Sequence, residues 1–426
     1  MRRLTGALNM LGKFWRKLKN DRRGNVLVIV AIGATSMVGA AGMGVDTVQW
    51  YLWQKQLQNS VDGGALSGAH TLFQSGNAAQ AAKDELKSTF AHTYTVVRAV
   101  SPPTSGDYAG DTGAVELVAT TSQTLPFSSL FLPAAPTITA RAVAATVDGG
   151  KYCVISLADD GEGISVIGSA KVNLGCGATA NSNFSTAVDL DGSSFLGADP
   201  INAVGGIGYA AKNVPSDGSV LPYGLKTEDP LASRGLMVPS STSCLSNKKM
   251  TIQPNEDVDL PEGRYCGGLD IKGTVNLTGG LYVIDGGTLK INSGAKVTSS
   301  AGVTIVLTGA SAATVAEVDI AGGATLDLHA PSQVEDATWY DILFFQDPKA
   351  SDISNTINGG ASLSLDGIAY FPTNDLTFTG GGGTAAKCLL LVAKRVKFGG
   401  DTGIDNDCSD TIEGLDTTAR IIRVVE

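Results

Sequence analysis

Leu269 to Leu307 reads LDIKGTVNLTGGLYVIDGGTLKINSGAKVTSSAGVTIVL. Apolar residues alternate in it at Leu269/Ile271, Val275/Leu277, Leu281/Val283, Leu289/Ile291 and Val303/Ile305/Leu307. A period of two is the period of a strand, and Gly, Asn and Ser punctuate the runs. Run centres lie about six to eight residues apart, so three runs make a coil of about 20 residues with no helical pattern between them. This predicts a mainly β fold. A right-handed parallel β-helix satisfies the repeat economically, because each coil stacks on the next and inward apolar residues form one continuous core. A sandwich of hairpins is the alternative, with Asn358-Gly359 and Asp366-Gly367 as its best turns.

Similar runs continue on both sides, from Ile164/Val166 and Val172/Leu174 to Leu376/Phe378 and Val396/Phe398. Residues 151–426 are therefore read as the β-helix-like domain, with an irregular excursion near 200–262 where prolines and polar residues break the repeat. Asn173, Asn181, Asn276 and Asn292 suit left-handed turn positions or stacked amide ladders. Upstream, 93–150 reads as a small β-rich unit: Val115, Leu117 and Ala119, then Ile138, Ala140, Ala142 and Ala144, alternate at the strand period.

The period changes again before residue 93. Leu57, Val61, Ala65 and Leu72 fall near helical spacing, and 76–90 reads as a second, short helix. Gly63, Gly64 and Gly68 weaken the first helix but permit close packing. Val26 to Val45 contains 20 residues and no charge. At 1.5 Å per residue it is long enough to cross a hydrocarbon core of about 30 Å. Before it, residues 1–23 hold eight basic residues and one acid, a net +7. The whole chain carries −10, which leaves −17 for the rest.

The reading is thus a cytoplasmic basic segment (1–23), a transmembrane helix (24–46) and a periplasmic helical stalk (47–92), followed by the two β regions. By the positive-inside rule the N-terminus is cytoplasmic and the bulk lies outside. A cleaved secretory signal is the rival reading of the apolar segment. Trp50, Tyr51 and Trp53 suit a membrane interface. A main body of this acidity is not expected to bind nucleic acid.

Cys153, Cys176, Cys244, Cys266, Cys388 and Cys408 all follow the apolar segment, and none forms a CxxC pair. An even number outside the cytoplasm reads as disulfides. Chain neighbours favour 153–176, 244–266 and 388–408 among the 15 possible connectivities.

Catalytic and metal chemistry has little to stand on. His70, His92 and His329 are scattered, without zinc spacing. Asp401, Asp405 and Asp407 read as an acidic turn, as do Asp159, Asp160 and Glu162. Asp341, Asp347, Lys394 and Arg395 are the residues a glycan-cleaving β-helix would enlist. No metal, cofactor or catalytic residue is assigned, and the chain is not expected to be an enzyme.

One further pattern joins the helical segments. Arg22-Arg23-Gly24, the apolar span, Val45-Asp46, Leu57-Gln58-Asn59 and Asp62-Gly63-Gly64-Ala65-Leu66 follow one another in order. This resembles the N-terminus of TadG-like proteins of Flp (tight-adherence) pilus assembly, over about 50 residues. The family's motif falls on Gly24, Asp46, Leu57, Gln58, Asn59, Asp62, Ala65 and Leu66; Gly63 and Gly64 stand where relatives usually have alanine. The resemblance implies a single-pass protein of the bacterial inner membrane, facing the periplasm. Its implied partners are other pilus-assembly or secretion proteins, and its implied role is structural, in assembly and adhesion. The metal motif of relatives that carry a von Willebrand type A domain is not matched, because Asp191-Gly192-Ser193-Ser194 has the wrong spacing. A membrane-anchored carbohydrate-binding or polysaccharide-degrading β-helix protein, acting on envelope glycan, is the alternative.

Overall fold

A computed structural model describes residues 24–130, 132–240, 243–358, 362–379, 382–386, 388–406, 415 and 417–426. The basic segment 1–23, Gly359, Asp407 and Cys408 lie outside the described residues. The chain divides into two compact units: residues up to Thr146 together with Ile422–Glu426, and Val147–Ile421.

In the first unit, helix α1 runs from Gly24 to Phe73 without a break. Its two halves answer to different solvents. Ile29, Val30, Ile32, Met37, Val38, Met43 and Val45 are all exposed, so the first half is apolar around its whole circumference. Such a helix is not at home in water. It is long and apolar enough to cross a membrane. Its few hydroxyls are spent on the helix itself: Thr35 donates to Ala31 O at 3.0 Å, Ser36 to Ile32 O at 3.0 Å and Thr47 to Met43 O at 2.7 Å.

The second half is amphipathic. Leu57, Val61, Ala65 and Ala69 form one buried face, at four-residue steps. They pack on a three-stranded antiparallel sheet made of β1 (Thr95–Val100), β2 (Ala114–Ser122) and β3 (Thr137–Ser156). Helix α2 (Ala78–Thr89) joins the same core through Ala78, Ala82 and Leu86, with Asn77 capping its N-terminus. The segment read as a stalk and the first part of the β-rich region therefore share one hydrophobic core. The alanines of β2 and β3 (Ala119, Ala140, Ala142, Ala144) keep that core thin, so helix and sheet approach closely.

The glycines of α1 separate on the same physical ground. A methyl on Gly64 would lie 2.5 Å from Leu117 Cδ2 and 2.8 Å from Ala82 O, whereas on Gly63 its nearest neighbour is Glu85 at 4.0 Å. Gly63→Ala should therefore stabilise the unit by about 0.5–1 kcal/mol through helix propensity. Gly64→Ala should destabilise it by about 1–3 kcal/mol through overpacking. Denaturant melts of the two variants in detergent check this. Shifts of the same sign would mean that α2 does not lie against Gly64.

In the second unit the strands between residues 152 and 406 pair in parallel, and these pairings fall into three ladders. One runs through 250–252, 269–271, 288–291, 317–320, 354–358, 375–379, 395–399, 164–166, 188–190 and 207–208. A second runs through 257–260, 274–277, 296–299, 325–329 and 362–366, with a further run at 382–386, 402–406, 171–173 and 195–197. The third runs through 263–266, 280–285, 303–308, 342–346, 367–371, 389–393, 152–156, 177–180, 201–203 and 220–222. Successive strands of the chain thus belong to different ladders, and each pairs with a strand one coil away. The strand Ser362–Thr379 bends through all three ladders. Gly367, at φ +128°, makes one of its corners. Asp366-Gly367 is therefore a corner between parallel ladders and not a hairpin turn. The four asparagines singled out above are not among the residues with positive φ. Asn276 and Asn292 instead donate to Asp259 Oδ1 (2.8 Å) and Asp270 Oδ1 (2.6 Å) on the adjacent coil.

The spatial order of the ladders differs from chain order. Strand 389–393 pairs with 152–156, so the coils of 152–222 stack beyond those of 250–406. The chain must then travel from one end of the series to the other, and residues 223–249 do so as a strap. Thr227 exchanges two 2.8 Å hydrogen bonds with Asn181; Asp229 accepts from Tyr370 Oη at 2.7 Å. Farther on, Arg234 donates to Tyr340 O at 2.8 Å and stacks 3.8 Å over that ring, and Pro239 O accepts from Arg264 at 2.5 Å. Within the stretch read as an irregular excursion, 201–203, 207–208, 220–222, 250–252 and 257–260 are ladder strands. Their polar residues face outward or meet the strap, which is why apolar alternation is weak there. Among the described residues two disulfides clamp this unit, each with Cα atoms 5.9 Å apart. Cys153–Cys176 joins neighbouring strands of the third ladder, and Cys244–Cys266 fastens the end of the strap. The 388–408 pairing rests on Cys408, outside the described residues.

Candidate functional site

The motif residues lie along α1 and fall into four groups. Gly24 opens the helix. Leu57 and Ala65 are core, fully buried against the sheet. Asn59 and Leu66 are exposed on the opposite side. Gln58, Asp62 and Asp46 are polar ties. Gln58 Nε2 donates to Asp62 Oδ1 at 2.7 Å and to Arg141 O on β3 at 2.9 Å, which fixes the helix to the sheet edge.

Asp46 is the most informative of them. It ends the uncharged stretch, yet it is only 2 % exposed. Its carboxylate accepts from the backbone N–H of Phe127 (3.2 Å) and from the N–H and hydroxyl of Ser128. Phe127 and Ser128 begin the short 3-10 turn Ser128–Leu130 in the connection between β2 and β3. The acid therefore satisfies the unpaired donors of that turn and holds the connection against the helix. The Phe127 ring packs on the helix at Gly42, where an added methyl would stand 2.6 Å from it. Beside this contact a cavity of about 680 Å³ is lined by helix residues from Ala34 to Thr47 and by Phe127, Ser128, Leu130 and Leu132 of the connection.

A buried charge cluster on the sheet was not anticipated. The Glu116 side chain, on β2, is fully buried; it meets Arg141 at 2.7 Å and Arg98 at 3.2 Å. It also accepts from Thr104 N–H (3.1 Å) and Thr104 Oγ1 (3.0 Å). Arg141 reaches on to Glu426 at 2.6 Å. Burial raises the Glu116 carboxyl, but the hydrogen bonds from Arg141, Thr104 and Arg98 outweigh it and hold the group down at about 2. Strand alternation in the sequence marks Glu116 as outward-facing. What it does not reveal is that the 101–113 loop and the chain's last residue cover that side.

In the second unit the acids considered for catalysis are each occupied by a different partner. Asp347 meets Lys349 at 2.9 Å and Thr308 Oγ1 at 2.8 Å, and Asp341 lies 3.9 Å from Arg234. Arg395 reaches Asp160 at 2.7 Å and Asp375 at 3.6 Å. Asp159 pairs with Lys226 at 2.6 Å, and Ser165 donates to Glu162. Asp401 accepts from Ser169. His92 packs edge-on to Trp53 and Phe90, while His70 and His329 meet Gln74 and Ser299. Among the described residues no three metal-binding side chains come together.

Residues 24–71 match a family model described as putative Flp pilus-assembly TadE/G-like. The match covers almost the whole of α1 and ends before the parallel ladders begin. Neither the curated proteins nor the solved structures yield a match to the chain.

Proposed function

We propose that this chain is a structural component of Flp-type pilus assembly or of its secretion machinery, anchored by α1 in the bacterial inner membrane. The observation that carries the reading is the family match over α1. In this reading the basic N-terminus is cytoplasmic and the bulk of the chain is periplasmic, as the +7 charge before the span and the two disulfides favour. The second unit is taken as a right-handed parallel β-helix. Strand-by-strand parallel pairing across three ladders supports the coil, and the rule for parallel crossovers supports the hand. It serves as a rigid docking body for other assembly proteins and is not catalytic; the scattered pairing of its acids with neighbouring cations is in keeping with that role.

Two experiments test this. Deleting the coding region should abolish piliation or surface attachment, and the intact gene should restore it. Glycan cleavage by the purified chain, with piliation unchanged in the deletion strain, would replace the proposal with the carbohydrate reading. For orientation, an alkaline phosphatase fusion after Ser75, in the turn between the helices, should be active.

A further inference from the structure

The connection between β2 and β3 contains Leu125-Pro126-Phe127-Ser128-Ser129-Leu130-Phe131-Leu132-Pro133, and no charged residue occurs between Glu116 and Arg141. Leu130 is 75 % exposed, Leu132 48 % and Phe127 38 %. In water that is an unusual place to leave three large apolar side chains together. Their position along α1 gives the reason. Phe127 lies on Gly42, four residues before Asp46, or about 6 Å nearer the start of the span. Leu130 and Leu132 share a cavity with helix residues from Ala34 to Thr47, which reaches as far as about 18 Å below Asp46.

We propose that Phe127–Leu130 and Leu132 are inserted in the hydrocarbon of the outer leaflet beside α1, with lipid acyl chains filling the cavity between loop and helix. This rests on the reading of α1 as a membrane span. Lengths decide between the two placements. If the loop stood in water, the bilayer would have to stop below Ala34. Only Val26 to Gly33 would remain to cross it, a length of about 12 Å against a core of about 30 Å.

The loop's hydrogen bonding points the same way. Backbone donors in lipid must be satisfied from within the protein. Phe127 and Ser128 donate to Asp46. Ser129 donates to Leu125 O (3.1 Å), Leu130 to Phe127 O (3.1 Å) and Leu132 to Ser128 O (2.8 Å). Pro126 and Pro133 have no N–H to satisfy. The Ser129 hydroxyl is turned back onto Pro126 O at 3.3 Å. Asp46 then acquires a second use: placed at the membrane boundary, it neutralises two donors that would otherwise enter hydrocarbon unpaired. Trp50 and Tyr51, one turn above it, fall where an aromatic belt belongs.

The test uses the full-length protein in phosphatidylcholine vesicles. Leu130→Cys, Val38→Cys and Tyr223→Cys are labelled separately with an environment-sensitive fluorophore. All three sites are exposed, so the substitutions leave packing intact. The label at position 130 should be quenched by nitroxides on lipid acyl chains about as strongly as the label at 38, and hardly by aqueous iodide. The label at 223 should show the reverse. A label at 130 that iodide reaches while 38 remains in lipid overturns loop insertion and leaves the anchor reading standing. If both are reached by iodide, the anchor reading itself has failed. Shielding of position 130 from both quenchers would mean that protein, not lipid, occupies the cavity, and also refutes the proposal.

Discussion

Val392→Asp is expected to lower the stability of the second unit by about 4 kcal/mol or more, and to release residues 152–222 before the rest of the unit. Val392 is fully buried; it pairs with Tyr370 in one adjacent strand and with Ile155 in the other. It therefore sits where two segments more than 200 residues apart in sequence meet. A carboxylate there would be buried between Tyr370 and Ile155, which are themselves buried. In a stack in which each coil touches only the coils beside it, damage is local and divides the array at the damaged layer. The coils of 152–222 lie on one side and those of 250–371 on the other. Hydrogen exchange should show early deprotection of 152–222 with strands 269–308 still protected. Val392→Ala, which removes two methyl groups and adds no charge, should cost about 2 kcal/mol without splitting the unit. Should 152–222 in Val392→Asp keep its protection to the global unfolding point, the pairing of 391–393 with 154–156 would be wrong.

That pairing also shows where reading the sequence stops. The runs between Leu269 and Leu307 are legible because apolar alternation is local. The observed strands 269–271, 274–277, 280–285, 288–291 and 303–308 fall on them, whereas 296–299, with Val297 as its single apolar residue, answers to none. Which coil follows which is not local. Nothing within ten residues of Val154 or Val392 signals that the two strands are neighbours, since any Val-rich strand offers the same backbone ladder. The strap fails for a related reason. Asn181, Asp229 and Arg234 act as single polar contacts, and their partners at Thr227, Tyr370 and Tyr340 are defined only once the coils are stacked. The anchor is the opposite case. Its length, lack of charge and following Asp46 are all written in one stretch. Even so, the use of Asp46 depends on Phe127 and Ser128, some 80 residues away. Cys153–Cys176 and Cys244–Cys266 were predictable from proximity in the chain, because a coil of about 20 residues brings such neighbours together on adjacent turns.

Glu116→Ala should destabilise the first unit by about 3 kcal/mol, and Glu116→Gln should alter how that unit responds to acid. The alanine variant takes the shared carboxylate from two guanidinium groups and leaves the Thr104 N–H without its acceptor. Breaking a buried pair from one side typically costs about 3–5 kcal/mol. The lower end applies here because the Arg98 and Arg141 side chains keep 39 % and 32 % of their exposure and recover some hydration. The pH dependence follows from the carboxyl's position at about 2, against an ordinary value near 4.5. A folded-state value below the unfolded one adds stability that is fully present above about 4.5 and fades as pH falls toward 2. Its size is on the order of 3 kcal/mol. Glu426, held low mainly by Arg141, titrates in the same direction but lies nearer the surface. Urea unfolding of the detergent-solubilised protein between pH 7 and pH 2.5 separates the two. The unmodified chain should lose stability steeply below pH 4.5. Glu116→Gln should start lower and lose far less over the same range, because no proton then enters that site. If Glu426→Gln flattens the acid limb as much as Glu116→Gln does, the weight lies on the outer pair and the buried carboxylate is not the group that holds β2 to β3.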